Sequence, residues 1–321
     1  MKYSPPKLIN DNIVIIDGIS RSGKLLTGTI VSSFSNTEQF EMGRNFEDIV
    51  PGIKFKKIDI YYAEAFLKNY LNELIYNKYL SRNVNFRESD RTGVKNSPYF
   101  YLYKKRIKIK EGDKVIDLIK KEKRNIPFVT HDLLLSINSF NKLNLKYKMI
   151  YVFRNPFDLI ISWNKRKLSE RFGKDQRMFT LMLKSKKKTV SDYLFITKKN
   201  KKYNSLEACA NFVYYTINET IKSYKKLGKE MRKRIFITTY QKITENRNNE
   251  IKKIAKFLNS KITNNTYNVI KKENLFAKDK KRYRLSLEKR KKLIKSKISS
   301  KTYYKLTEQE KNYNLNTYNL D

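Results

Sequence analysis

The sequence predicts an α/β protein built on a central parallel sheet flanked by helices. Three observations carry that expectation: short β-branched apolar runs recur along the chain, they alternate with stretches of helical spacing, and the first of them ends in a glycine turn that opens directly into a helix. The runs lack polar alternation, as expected of strands covered by helices on both faces.

Residues 12–17 (Asn-Ile-Val-Ile-Ile-Asp) read as the first strand, stopped by Gly18, and residues 19–24 form a turn. From Leu25 onward, apolar residues at 25, 26, 30, 31 and 34 follow helical spacing. Residues 60–80 read as an amphipathic helix with Tyr62, Phe66, Tyr70, Leu71, Leu74, Ile75 and Tyr79. A second strand is expected at 126–130 and a third at 148–153, ending in Arg154-Asn155-Pro156 with a helix over 158–167. A fourth strand, 234–239, lies between a long helical stretch over 206–231 and a helix over 249–258. By composition the chain divides into a domain over residues 1–270 and a basic, helical C-terminal extension over 271–321, packed on the domain or trailing from it. Between 271 and 301 there are 14 Lys or Arg against 3 acidic residues, with few apolar anchors.

Composition excludes several classes. The single cysteine, Cys209, excludes an intramolecular disulfide and a zinc site built from several thiolates, and its flanking alanines make it a small buried hydrophobe. No stretch reaches the ~20 apolar residues of a membrane span. The best candidate, residues 149–163, is interrupted by Arg154, Asn155, Pro156 and Asp158. With no secretory leader in the first thirty residues, a cytoplasmic location is the expectation. The 71 Lys and Arg outnumber 31 Asp and Glu, a formal charge of +40. Only 17 of these are Arg, leaving 54 Lys in a chain also crowded with Asn, Ile and Tyr. Two readings therefore stand side by side: an anion-attracting field, and a solvated lysine surface that follows from AT-rich coding.

The first candidate site is Gly18-x4-Gly23-Lys24-Leu25. A loop that leaves a parallel strand and opens a helix directs backbone N–H groups and the positive end of the helix dipole at one spot. Gly18 and Gly23 permit the turn, and Arg21 and Lys24 add cations. The pattern nearly matches the nucleoside triphosphate loop G-x-x-x-x-G-K-[ST] and departs from it at Leu25. Leucine lacks the hydroxyl that holds magnesium in such loops, which makes a triphosphate-dependent kinase the second choice.

The second site is Arg154, at the end of the third strand, with Ser162 eight residues later on the following helix. The two can converge on one phosphate, the arginine by a charge-assisted fork and the serine by its hydroxyl. Arg-x-Pro-x-Asp-x-x-x-Ser after an apolar strand resembles the 3′-phosphate-binding motif of sulfotransferases that use 3′-phosphoadenosine 5′-phosphosulfate (PAPS). Ser20-Arg21-Ser22-Gly23 with Leu25-Leu26 resembles their 5′-phosphosulfate loop. Residues 237–243 are similar to the family's strand ending in Tyr-x-x-Leu, and residues 249–258 to the helix that follows, so the resemblance covers residues 12–260.

This resemblance implies a P-loop NTPase-like sulfotransferase fold with PAPS as co-substrate and no metal. It implies cofactor contacts from Ser20, Arg21, Ser22, Gly23, Lys24, Leu25, Arg154 and Ser162, with Arg21 and Lys24 catalytic at the bridging and sulfuryl oxygens. Lys24 departs from the small hydroxyl residue usual in the family, and the late glycine-rich cofactor segment has no clear counterpart, residues 278–284 being the candidate. Asp158 reads as a dipole partner in the first turn of its helix, able to pair with Arg166, and Trp163 as a packing residue.

Sulfuryl transfer resembles phosphoryl transfer in depending on positioning and electrostatics. An alcohol acceptor must also lose a proton, and the sole histidine, His131, lies at the C-terminal end of the expected strand 126–130. In the soluble members of the family a Thr-His pair at a similar strand end supplies the base, and Thr130-His131 stands 23 residues before Arg154. Glu64, Glu88 and Asp90 are the alternative bases. The resemblance implies a hydroxyl or amine acceptor, and the aromatic and basic residues between 36 and 125, expected to wall its side, suit a sugar, a lipid headgroup or a small phenol alike and leave its identity open. The reading from another class is a polyanion- or nucleic-acid-binding protein using the basic C-terminal segment, although no recognised nucleic-acid module is present.

Overall fold

The computed structural model describes residues 3–171, 174–179, 181–184, 189–191, 205–245, 247–273 and 280–314. Its centre is a five-stranded, all-parallel sheet of order β2-β3-β1-β4-β7, where β1 is Ile13–Asp17, β2 Glu41–Met42, β3 Ile126–Val129, β4 Tyr147–Phe153 and β7 Ile235–Thr239. A separate antiparallel pair joins β5, Met182–Lys184, to β6, Thr189–Ser191. The helices in chain order are α1 Lys24–Val31, α2 Arg44–Lys54, α3 Ile60–Tyr79, α4 Phe100–Arg106, α5 Asp113–Glu122, α6 Ile137–Phe140, α7 Pro156–Lys165 and α8 Leu168–Arg171. They continue as α9 Ser205–Lys225, α10 Lys229–Arg232, α11 Tyr240–Glu245, α12 Arg247–Phe257, α13 Asn264–Lys272, α14 Lys280–Lys295 and α15 Ser300–Asn314.

The apolar runs form strands because both of their faces are covered. Along β1, Ile13 and Ile15 enter one core while Val14 and Ile16 enter the other. Along β4, Met149, Tyr151 and Phe153 alternate in the same way with Ile150 and Val152, the two-residue period of a strand. The larger core lies beneath α2, α3, α5, α7 and α9, and the smaller one beneath α1, α12 and α13. Register is set by Ile13 opposite both Ile126 and Tyr147, and by Met149 opposite Ile235. The central strand therefore has one motif-bearing neighbour on each side.

Two boundaries differ from the sequence reading. The helix expected over 206–231 ends at Lys225, and the chain re-enters a short helix only after Gly228. The C-terminal segment has more anchors than its composition suggested: Ile294 and Leu306 are fully buried, Tyr313 nearly so, and α14 and α15 lie against α7 and α9. No described helix is long and apolar enough to cross a membrane.

Candidate active site

The C-terminal ends of β1, β3, β4 and β7 lie side by side, and each contributes a residue to one region. From β1 the chain passes through Gly18, at φ +152°, into the loop that starts α1. A side chain at Gly18 would fall 2.7 Å from the Val152 carbonyl oxygen and 2.6 Å from Ser22 Oγ. Gly23, at φ +109°, is the N-cap of α1, and a Cβ there would stand 2.5 Å from the Tyr240 ring. Both glycines are thus required by close approach as well as by backbone conformation. Arg21 adopts φ +74° although it has a side chain, and such strain collects at functional sites.

The loop and the second motif are joined directly. Arg21 Nε donates to Ser162 Oγ at 3.1 Å, and Arg154 Nη1 donates to the Arg21 carbonyl at 2.9 Å. Trp163 is fully buried, stacks on Phe212 with centroids 4.6 Å apart, and donates its indole N–H to the Ser20 carbonyl at 2.8 Å. The Arg154 guanidinium lies 4.6 Å over the ring of Tyr240, the first residue after β7. Tyr240 therefore packs against both Gly23 and Arg154, which gives a physical role to the tyrosine of the third motif, residues 237–243. Burial, and after it Arg166 and then Arg154, pushes Arg21 below the usual arginine range.

Several groups fit an anion at this place. The first turn of α1 has no side-chain cap and no acidic residue, so its N–H groups face outward with the positive end of the dipole. Ser22 Oγ and Arg154 Nε are buried and make no hydrogen bond. Buried donors of this kind are costly unless something accepts from them.

Lys24 is placed differently from its neighbours. Its side chain is buried, and Nζ donates to the Ile19 carbonyl at 3.2 Å instead of reaching the cleft. Burial lowers its pKa from the ordinary 10.5 to about 8, although Asp132, Asp17 and Glu47 pull in the opposite direction. Leu25 is 37% exposed on the first turn of α1.

On the other side of the loop, His131 follows β3, and Glu47 from α2 binds it twice. Glu47 Oε1 accepts from the His131 backbone N–H at 2.8 Å and lies 2.9 Å from ring Nδ1. A carboxylate can only accept, so this contact assigns the proton to Nδ1 and leaves Nε2 as the basic nitrogen. Thr130 Oγ1 donates to Asp17, whose other oxygen accepts from the Leu134 N–H, fixing the strand end. The alternative bases lie elsewhere: Glu64 pairs with Lys68, Glu88 with Lys95, and Asp90 caps its own turn at Thr92. The carboxylates beside His131 are Glu47 and Asp132, neither of which the sequence singled out. Glu47 is 84 residues away in the chain, and only its position in the first turn of α2 marks it.

A cleft of about 1120 Å³ opens between Ser20 and Arg21, Glu47 and His131, Arg166, and, further along, Leu168, Arg171, Lys174 and Phe179. Arg154, Ser162 and Lys24 do not line it. The cleft therefore lies on the histidine side of the loop, and the arginine–serine pair lies outside it.

Asp158 does not pair with Arg166. Its carboxylate, 2% exposed, lies 3.0 Å from Arg290 Nη1 and accepts from the Tyr283 hydroxyl at 2.9 Å, both groups coming from α14. Arg154 Nε stands farther off, at 3.9 Å. Of the stretch 278–284, residues 278 and 279 lie outside the described residues. No group of three or more metal-ligating side chains occurs among the described residues.

No curated protein matches significantly. Among solved structures, the sulfotransferase domain from the curacin biosynthetic pathway is 11% identical with a TM-score of 0.44, over 82% of this chain and 77% of that one. The sulfotransferase domain of the Synechococcus olefin synthase is 11% identical with a TM-score of 0.41, over 84% and 81%. A retinol dehydratase in complex with androsterone and the inactive cofactor PAP is 13% identical with a TM-score of 0.33, over 95% and 71%. The model of the sulfotransferase domain family matches residues 11–315, nearly the whole length, and the chain belongs to that family.

Proposed function

We propose that the protein transfers a sulfuryl group from PAPS to a hydroxyl or amine acceptor. The observation that carries this reading is the junction of the two motifs: Arg21 of the glycine loop bonds Ser162, and Arg154 bonds the backbone of Arg21. Two anion sites tied together at adjacent strand ends suit a nucleotide bearing a phosphate on its 3′ carbon and a phosphosulfate on its 5′ carbon. Arg154 and Ser162 hold the 3′-phosphate. The N–H groups at the start of α1, with Ser22 and Gly23, hold the 5′-phosphate.

Arg21 serves the bridging and sulfuryl oxygens, where negative charge grows during in-line displacement. Lys24 contributes a positive field from beneath the loop. His131 Nε2 takes the acceptor proton as the acceptor oxygen or nitrogen bonds to sulfur and the sulfur–oxygen bond to the 5′-phosphate breaks, releasing adenosine 3′,5′-bisphosphate. Glu47 holds the imidazole in the required tautomer and stabilises it once protonated.

Calorimetric titration of the full chain tests the reading. Adenosine 3′,5′-bisphosphate should bind without magnesium, and ATP should gain little from it. Binding of ATP only in the presence of magnesium would instead favour the kinase. Arg154→Ala should weaken the bisphosphate by about 10-fold or more, as expected for loss of a charge-assisted fork, while adenosine 5′-monophosphate changes little. Equal losses for both nucleotides would remove Arg154 from the 3′-phosphate.

A further inference from the structure

We propose that Arg290 is a positioning residue that engages Asp158 and so leaves Arg154 available to the nucleotide's 3′-phosphate, an inference that rests on the site reading given above. Arg154 and Asp158 are four residues apart, a spacing at which an arginine and a carboxylate readily pair. Asp158 is 2% exposed, and a buried carboxylate needs cationic or hydrogen-bonding partners. Left alone, it would draw in Arg154, and an incoming phosphate would meet a guanidinium already neutralised with a second anion beside it.

The chain avoids this through a distant helix. Arg290 Nη1 stands 3.0 Å from Asp158 Oδ1 as an ion pair without hydrogen-bond geometry, and the Tyr283 hydroxyl donates to Oδ2 at 2.9 Å. Tyr283 is itself held, since Gln241 Nε2 donates to its hydroxyl at 2.7 Å and the Arg290 guanidinium lies 5.7 Å over its ring. With a cation beside one oxygen and a hydrogen bond at the other, Asp158 Oδ2 stays 3.9 Å from Arg154 Nε, beyond hydrogen-bonding distance. The Nε of Arg154 is buried with no hydrogen bond, while Nη1 is fixed by the Arg21 carbonyl. The guanidinium is oriented without being consumed. The basic character of α14 thus acquires a local purpose unrelated to polyanion binding.

The test is a calorimetric double-mutant cycle on the full-length protein, with adenosine 3′,5′-bisphosphate and adenosine 5′-monophosphate as probes. Arg290→Gln should weaken the bisphosphate about tenfold, a coupling typical of neighbouring charged groups, and leave the monophosphate within about twofold. Asp158→Asn in that background should restore most of the lost bisphosphate affinity, because the competing carboxylate is gone. A loss that persists in the double variant would make Arg290 a direct phosphate contact and overturn the proposal. So would equal losses for the two nucleotides, or no change at all. Should Arg290→Gln fail to fold, Tyr283→Phe, which removes one hydroxyl, must show the same selective loss. If the wild type itself fails to prefer the bisphosphate, the site reading falls; if it does prefer it and Arg290→Gln matches it, only the role of Arg290 falls.

Discussion

Glu47 reaches His131 from another helix and meets it at both the backbone and the ring, so the imidazole has one tautomer and one orientation. His131→Ala is expected to lower kcat by about 10²-fold or more with bisphosphate affinity unchanged, the range for loss of a general base. Glu47→Gln should lower kcat less and spare nucleotide affinity, as steady-state kinetics beside calorimetry would establish. Lys24 has a different signature. Its ammonium gives up its proton more readily in the folded chain than in the unfolded one, because it is buried. Between pH 8 and 10.5 the unfolded chain holds a proton that the folded chain has lost, so raising the pH across that window favours the folded state. The stability of the wild type relative to Lys24→Met should therefore climb over that window and stay level from pH 6 to 8, as denaturation midpoints at each pH would reveal. The place of His131 at the end of β3 was legible in the sequence because it is the sole histidine and follows an apolar run. Glu47 was not, since nothing local distinguishes one carboxylate among 31 acidic residues.

At the scale of elements, α7 shows how much a helix start contributes. Asn155 is the N-cap: its side-chain oxygen accepts from the Phe157 N–H at 2.9 Å, and Pro156 fills the first turn. Its amide nitrogen donates in turn to Glu310 at 2.9 Å, and Lys291 holds the other oxygen of Glu310 at 2.7 Å. Asn155→Ala should cost about 1–2 kcal/mol, the range for a lost cap, and lower the thermal midpoint. Deleting residues 280–321 is a harsher change. It removes Ile294 and Leu306, each worth ~1.5–3 kcal/mol when fully buried, and the nearly buried Tyr313, together with the partners of Asp158 and Asn155. The expected outcome is an aggregated or much less stable chain, and a truncated protein that melts like the full one would contradict it. The strands were readable because burial on two faces leaves an unbroken apolar signature. The two-residue β2 carries no such signal, and the anchors of α14 and α15 were hidden because single apolar residues among many lysines show no period.

At the scale of the whole molecule, the formal charge of +40 adds a diffuse attraction for anions to the local cations. Nucleotide association should slow as salt rises, because a field spread over exposed lysines is screened within about 8 Å at physiological ionic strength. Stopped-flow rates at several salt concentrations would measure that slope, and a flat profile would mean the surface lysines contribute nothing to capture. The order of the sheet has a consequence of its own. β1 sits between the strand that ends at the histidine and the strand that ends at Arg154, and adjacent strands lie about 4.8 Å apart. The two ends are therefore separated by two strand steps, close to 10 Å. The backbone works as a ruler of fixed length, calibrated by hydrogen bonds that cannot stretch. Groups carried on those two strand ends are kept at a spacing that side chains can trim but only a change of strand order could reset.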